Sequence, residues 1–501
     1  MTTTLIVSVI LIYFLVLYLI SYLTSRGAGN EAFFRGERKS KWYLVSFGMI
    51  GASLSGVTFI SIPGWVGDAG NQFSYMQAVF GYFLGYLVIA FVLLPLYYRL
   101  NVTSIYEYLE HRFGYWSYKT GAFFFLLSRV IGASVRLLLV ANVLQSILFD
   151  SWNIPFEVTV MVSVLLIWVY TNRGGIKTIV WTDTLQTAFM LISVILTVWF
   201  LKDALAVEQG VISTVADSGY SKIFFFDDIN SKNHFLKHFL GGMFITIGMT
   251  GLDQDMMQKN LSCKNTKEAQ WNMISMAAVL IIVNLIFLGL GALLYMYAGQ
   301  FGITETKDLL FSSVAMSDEA GPLIGVLFLL GLIAAAYSSA DSALTSLTTS
   351  FTVDFLNIKK YDEAKQLFLR KRVHVATSVV VILVVILLKY TTDSSAIGLL
   401  MQFAGFTYGP LIGMFFFGIM IRRQIGDLLI PMVSVFSILT TFVLWYYSAG
   451  GPGHFEDGTG IFGKYVFGFE LIILNALITF FSLLLVSSIQ TQKPDHNETD
   501  S

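Results

Sequence analysis

Thirteen stretches of mostly apolar residues, most of them about twenty residues or longer, run through this chain, and twenty is what an α-helix needs to cross the hydrocarbon of a bilayer. They lie near 4–24, 42–66, 74–98, 120–148, 154–172, 177–201, 236–258, 270–298, 309–350, 372–389, 395–420, 428–448 and 464–488. The ninth is long enough to hold a bend or a second short helix. A β-barrel is excluded, because the runs are too long and do not alternate with period two. Only 13% of the residues are charged and 55% are hydrophobic, against about 25% charged in soluble domains. The chain therefore reads as an all-α polytopic membrane protein. Cys263, its single cysteine, rules out an intramolecular disulfide. The first run, Leu5–Tyr22, is long enough to span, and no small-residue cleavage site follows it, so it is expected to stay in the membrane.

Lysine and arginine set the orientation. Arg26, Arg35, Arg38, Lys39 and Lys41 crowd the first loop, and Lys359, Lys360, Lys365, Arg370, Lys371 and Arg372 crowd another on the same side. That side also takes Arg99, Arg112, Lys119, Arg173, Lys177, Lys259, Lys264, Lys267, Arg422, Arg423 and Lys493. The opposite side has few, among them Lys202, Lys222, Lys232, Lys237, Lys307, Lys389 and Lys464. The rich side is read as cytoplasmic, which puts the N-terminus outside and the tail Gln490–Ser501 inside. Arg129 and Arg136 alone then remain inside a hydrophobic segment.

No Walker motif, Gly-rich phosphate loop, His/Cys metal cluster or nucleophile elbow is present. An ATP-driven pump needs such a domain, whereas transport on an ion gradient does not. A channel would need a continuous pore. A membrane-embedded enzyme would need a catalytic pair, and Asp253 and Asp255, two apart on a helix, point to different faces and make a poor one. No appended kinase or receiver module supports a sensor. No nucleic-acid partner and no organic cofactor are expected.

Two segments are interrupted. The second, MIGASLSGVTFISIPGWVGDAG over 49–70, carries Gly51, Gly56, Pro63, Gly64 and Gly67. The seventh, GGMFITIGMTGLDQDMMQKN over 241–260, carries Gly248, Gly251, Asp253 and Asp255. In lipid, the backbone groups such breaks release must be met by protein, water or a bound solute. Small residues also serve plain helix packing, but here the two interrupted segments are five apart and cross in opposite directions. That spacing points to an inverted-repeat transporter with discontinuous first helices.

The ninth segment contains AAAYSSADSALTSLTTS over 334–350, with eight Ser and Thr hydroxyls and Asp341. Residues three and four apart share a helical face, so Ala335, Ser338, Ser339 and Ser342 form one surface, and Ser338, Asp341, Ser342 and Thr345 an adjoining one. Oxygens so arranged suit Na⁺, although Ser and Thr also bond back to the i−4 carbonyl and bend helices. Asp183, about two turns inside the sixth segment, is a carboxylate at depth, costing about 2.5–3.5 kcal/mol on insertion scales. It is read as part of an ion site or as the partner of an intramembrane cation such as Arg129.

RGGIKTIVWTDTLQ (173–186), AAAYSSADSAL, YLEHRFG (108–114) and the Gln258–Lys264 spacing resemble the sodium:solute symporter family. The resemblance implies the leucine-transporter-type fold, two inverted five-helix repeats with flanking helices. It divides the chain into an extra N-terminal helix with its cytoplasmic loop (1–41), the first repeat (42–203), an extracellular loop (204–235), the second repeat (236–424), two C-terminal helices (425–489) and a cytoplasmic tail (490–501). It implies a Na⁺-coupled symporter of a small organic solute in the plasma or inner membrane, working in lipid as a monomer, with Na⁺ as coupling ion. The main sodium site it implies is formed by Gly51, Leu54 and Ala335 carbonyls with the Ser338 and Ser339 hydroxyls. A second ion site, present in some members, corresponds to Asp183, Ser338, Asp341 and Ser342, with Asp341 standing where a hydroxyl is usual.

The solute pocket is expected between the breaks of the second and seventh segments and the third, fourth and eleventh. Candidate liners are Ser55, Thr58, Phe59 and Gln77 from the first half. Arg136, Asp253, Gln254, Gln402, Phe403 and Tyr408 complete them. Arg136 offers a bidentate fork to a carboxylate, which favours an anionic solute, unless it pairs with an acid or snorkels. A sugar, polyol or other neutral solute is the alternative.

Overall fold

The computed structural model describes residues 3–24, 40–67, 70–102, 104–171, 175–391 and 396–487. The described residues form thirteen membrane segments. Nine are single helices long and apolar enough to cross a bilayer, two are bent pairs, and two are shorter apolar helices. In chain order they are α1 (Thr3–Thr24), α2a (Trp42–Ser53) with α2b (Gly56–Trp65), α3 (Tyr75–Leu100), α4 (Tyr115–Trp152), α5 (Phe156–Thr171) and α6 (Gly175–Ala204). Then come α7a (Phe235–Gly251) with α7b (Gln254–Asn260), α8 (Thr266–Phe301), α9 (Gly321–Phe355), α10 (Glu363–Thr391), α11 (Ala396–Met420), α12 (Leu429–Tyr446) and α13 (Leu471–Val486). The ninth apolar run divides, with a short helix, Leu310–Met316, preceding α9.

Both interrupted segments break where the sequence places small and polar residues. α2 bends by 55° and α7 by 70°. In α2 the helix stops at Leu54 (φ −85°, ψ 82°) and restarts after the extended Ser55 (φ −82°, ψ 178°). Pro63 is not the breaker, since it sits inside α2b, where the break has already turned the chain. α7a widens into a π turn over Ile247–Gly251 and stops at Leu252. Extended Asp253 then caps α7b, its carboxylate accepting the backbone N–H of Asp255 (3.0 Å) and Met256 (3.2 Å), as an N-cap aspartate does.

The breaks are held against the rest of the core by close approaches. A Cβ on Gly56 would meet Val140 of α4 at 3.1 Å and the Ala336 backbone of α9 at 3.8 Å. A Cβ on Gly51 would collide with the Thr187 hydroxyl of α6. α9 packs along α6 and crosses α4, while α3 lies along α7a and α11 along α13. All residues of α9 from Leu332 to Ser350 are buried, so its hydroxyls face protein and not lipid.

Candidate functional site

α9 brings Ala335, Ser338 and Ser339 onto one face beside the α2 break. Ser339 Oγ donates to the Ala335 carbonyl at 3.2 Å. Gly51 and Leu54 sit in the last turn and at the cap of α2a, where a helix leaves carbonyls without intrahelical partners. Ser338 is engaged differently, because its hydroxyl donates to Asp183 Oδ1 at 2.7 Å.

The other oxygen of Asp183 is taken by a residue the sequence places in a cytoplasmic loop. Lys259 Nζ lies 2.8 Å from Asp183 Oδ2 and 2.8 Å from Ser342 Oγ. Lys259 is 1% exposed and Asp183 fully buried. The reading of Lys259 as a surface cation is thus corrected: the 70° bend turns α7b inward and its terminal lysine with it. Arg129 is not the partner of Asp183. It pairs with Asp255 and, at 3.6 Å, with Asp253, so the two acids read as facing apart converge on one guanidinium.

A cavity of about 110 Å³ lies at the α2 break. Ser53, Ser55 and Thr58 of α2, Tyr75, Tyr82 and Tyr86 of α3, Thr246 and Thr250 of α7a, and Arg129 and Arg136 of α4 border it. Arg136 is 9% exposed and its Nε has no partner. Among the described residues no acid lies within ion-pair distance of it. A smaller adjoining space is bordered by Arg136, Phe403 and Tyr408. Gln402 lies instead in a larger vestibule of about 480 Å³ with Trp65, Lys232 and His238.

Four expected liners serve other ends. Phe59 is wholly buried among Phe287, Phe311 and Phe328. Gln77 donates to the Asn233 carbonyl (3.0 Å) and accepts from Phe225 N–H (3.0 Å), bracing the loop before α7a. Gln254 accepts from Ile105 N–H at 2.9 Å. Asp253 caps α7b and accepts from Tyr408 Oη at 2.8 Å, with Arg129 beside it. Sequence reasoning missed the tyrosines of α3, whose spacing at 75, 82 and 86 marks one helical face, and it misplaced Lys259. The cations of the first loop from Arg26 to Lys39 lie outside the described residues.

Two helices broken at depth, an oxygen-lined face on a third and a small polar cavity between them define a secondary active transporter that couples an ion to a solute. The chain belongs to the sodium:solute symporter family, whose model matches residues 33–426. It is 26% identical over 454 residues to the sodium/sialic acid symporter NanT of Aliivibrio fischeri, covering 87% of this chain and 86% of that one. It is 28% identical over 450 residues to the human sodium-coupled monocarboxylate transporter 1, covering 83% and 69%. Among solved structures, a substrate-bound outward-open Na⁺-coupled sialic acid symporter superposes with a TM-score of 0.78 at 20% identity, over 96% of this chain and 97% of that one. Mhp1, a nucleobase-cation-symport-1 family transporter, does so at 0.58 and 12% identity, over 91% and 93%. The fold is the leucine-transporter type with its inverted five-helix repeats, and the protein is a multi-pass, sodium-coupled transporter of a small solute, not an enzyme.

Proposed function

We propose that this protein imports a short monocarboxylate with Na⁺. The observation that carries the reading is Arg136, a buried guanidinium with no acidic partner among the described residues, bordering the cavity at the α2 break. Burying a charge is costly unless something pairs with it, and a bound carboxylate supplies the pair bidentately. Ser55 and Thr58 offer hydroxyls to the rest of the solute. Size decides between acids. The cavity at the break is small, about 110 Å³, which favours an acid of a few heavy atoms over a large sugar acid. The names of the relatives include both a monocarboxylate and a sialic acid transporter.

The main sodium site is assigned to the Gly51, Leu54 and Ala335 carbonyls and the Ser338 and Ser339 hydroxyls. The lysine and arginine distribution supports a topology with the N-terminus outside and the C-terminus in the cytoplasm, and the repeat boundaries at 42–203 and 236–424 follow from the five-helix offset between the two breaks. The transporter works in the lipid bilayer as a monomer, with Na⁺ its only inorganic requirement. Thermal stability of the purified protein in Na⁺ tests the solute class, using lactate, pyruvate, butyrate and N-acetylneuraminate beside lactamide and glucose. Na⁺-dependent stabilisation by the short acids and not by lactamide supports the reading. Stabilisation by glucose, or equal effects of acid and amide, overturns it.

A further inference from the structure

The structure assigns to Lys259 the place of a second coupling ion: its ammonium is a tethered cation seated between Asp183 and Ser342, and it leaves the transporter with one sodium site. This inference rests on the sodium-symport reading above and specifies its stoichiometry. The four groups that resemblance marks as a second ion site are Asp183, Ser338, Asp341 and Ser342. Lys259 Nζ contacts two of them directly, at 2.8 Å each. Ser338 does not touch the ammonium and donates instead to the opposite oxygen of Asp183, at 2.7 Å. An ammonium is a compact monovalent charge with three donors, so it meets a carboxylate and a hydroxyl much as Na⁺ does.

The lysine is held there from both sides. Its own backbone carbonyl accepts the Ser262 hydroxyl at 2.7 Å, and the next residue, Asn260, is fixed to α8 by Asn272 at 2.6 Å. The ammonium therefore links α7b to α6 and α9.

The test counts Na⁺ bound to the purified full-length protein by equilibrium binding of radiolabelled Na⁺. Wild type is expected to saturate at one ion per chain. Lys259→Ala, which empties the seat and keeps the carboxylate, is expected to bind one more. Lys259→Arg, and Lys259→Ala combined with Asp183→Asn, are expected to return to the wild-type count. No gain in Lys259→Ala overturns the assignment, as does a second Na⁺ on wild type. If Lys259→Ala is not recovered folded, the wild-type count decides alone. Absence of Na⁺ from wild type, with a gain of one in Lys259→Ala, refutes the main site and leaves the role of Lys259 standing.

Discussion

Lys259 and Asp183 form a fully buried ion pair, 2.8 Å from nitrogen to oxygen, between the short helix after the second break and the middle of α6. A pair of this kind adds little net stability beyond an apolar replacement, yet removing one member leaves a bare charge that costs about 3–5 kcal/mol. The pair thus explains how a carboxylate so deep in the membrane is tolerated.

Asp183→Asn is accordingly expected to lower stability by about 3–5 kcal/mol, because it strands the buried ammonium of Lys259. Adding Lys259→Met, which removes the stranded ammonium and keeps the apolar stem, should recover most of that loss. Denaturation midpoints of the two single variants and the double variant, closed as a thermodynamic cycle, measure the interaction. Additive losses would show that the two charges do not stabilise each other.

Arg136 and Arg129 share a cavity wall but should behave differently. Arg136→Gln removes a buried charge without an acidic partner among the described residues, so the solute-free protein should be no less stable while solute affinity falls by about 10- to 100-fold, the value of one hydrogen bond to a charged group. Arg129→Gln uncovers Asp253 and Asp255 and should unfold the protein more readily whatever the solute. Thermal melts with and without lactate separate the two. Equal losses of lactate response at unchanged stability would refute the distinction.

Ser339 and Ser338 are neighbours with different partners. Ser339→Ala removes a hydroxyl that bonds only a helix carbonyl at 3.2 Å, so its loss should appear as a roughly tenfold weaker response to Na⁺, about 1.4 kcal/mol, with little change in stability. Ser338→Ala also strips a bond from Asp183 and should lower both. Na⁺ titrations of thermal stability check this. A wild-type Na⁺ midpoint in Ser339→Ala would place the sodium elsewhere.

Cys263 lies in the turn between α7b and α8, wholly buried, and burial, with Glu268 nearby, pushes its thiol up to about 12. A raised thiol value means that the reactive thiolate is scarce at neutral pH and grows until the pH reaches that value. Labelling by N-ethylmaleimide should therefore be slow at pH 7 and still rise with pH above 9, where an ordinary thiol near 8.5 levels off. Mass spectrometry of the labelled chain gives the rate. A plateau near pH 9 would mean that the turn opens and exposes the thiol.

Much of the architecture was legible because its physics is local and repetitive. A run of apolar residues must become a helix in lipid, since its backbone has no other partner there, and this gave thirteen segments and the two interruptions. Ser and Thr on one face of the ninth segment marked the oxygen-rich surface for the same reason. Charge at the ends of segments was less reliable. Lys237 looked like an exterior loop cation, yet it is buried at the start of α7a, its ammonium donating to the Val466 carbonyl at 2.8 Å.

Pairing was decided by tertiary structure. Arg129, Arg136 and Asp183 were each visible as buried charges, but which acid meets which cation depends on where α4, α6 and α7b come together. Asp253 and Asp255 reach one guanidinium only because α7b starts there with an extended residue. Lys259 shows the difference most sharply. Its position in the sequence, at the end of a segment and next to a polar loop, is that of a surface lysine. Only the 70° bend at Leu252 and Asp253, which no local signal sizes or aims, carries its four-carbon stem inward to Asp183 and Ser342. The sequence by itself determined that this chain is a membrane bundle with two broken helices and an oxygen-lined third. The angle of one break, where α7b packs against α6, α8 and α9, decided that a lysine meets Asp183 and Ser342.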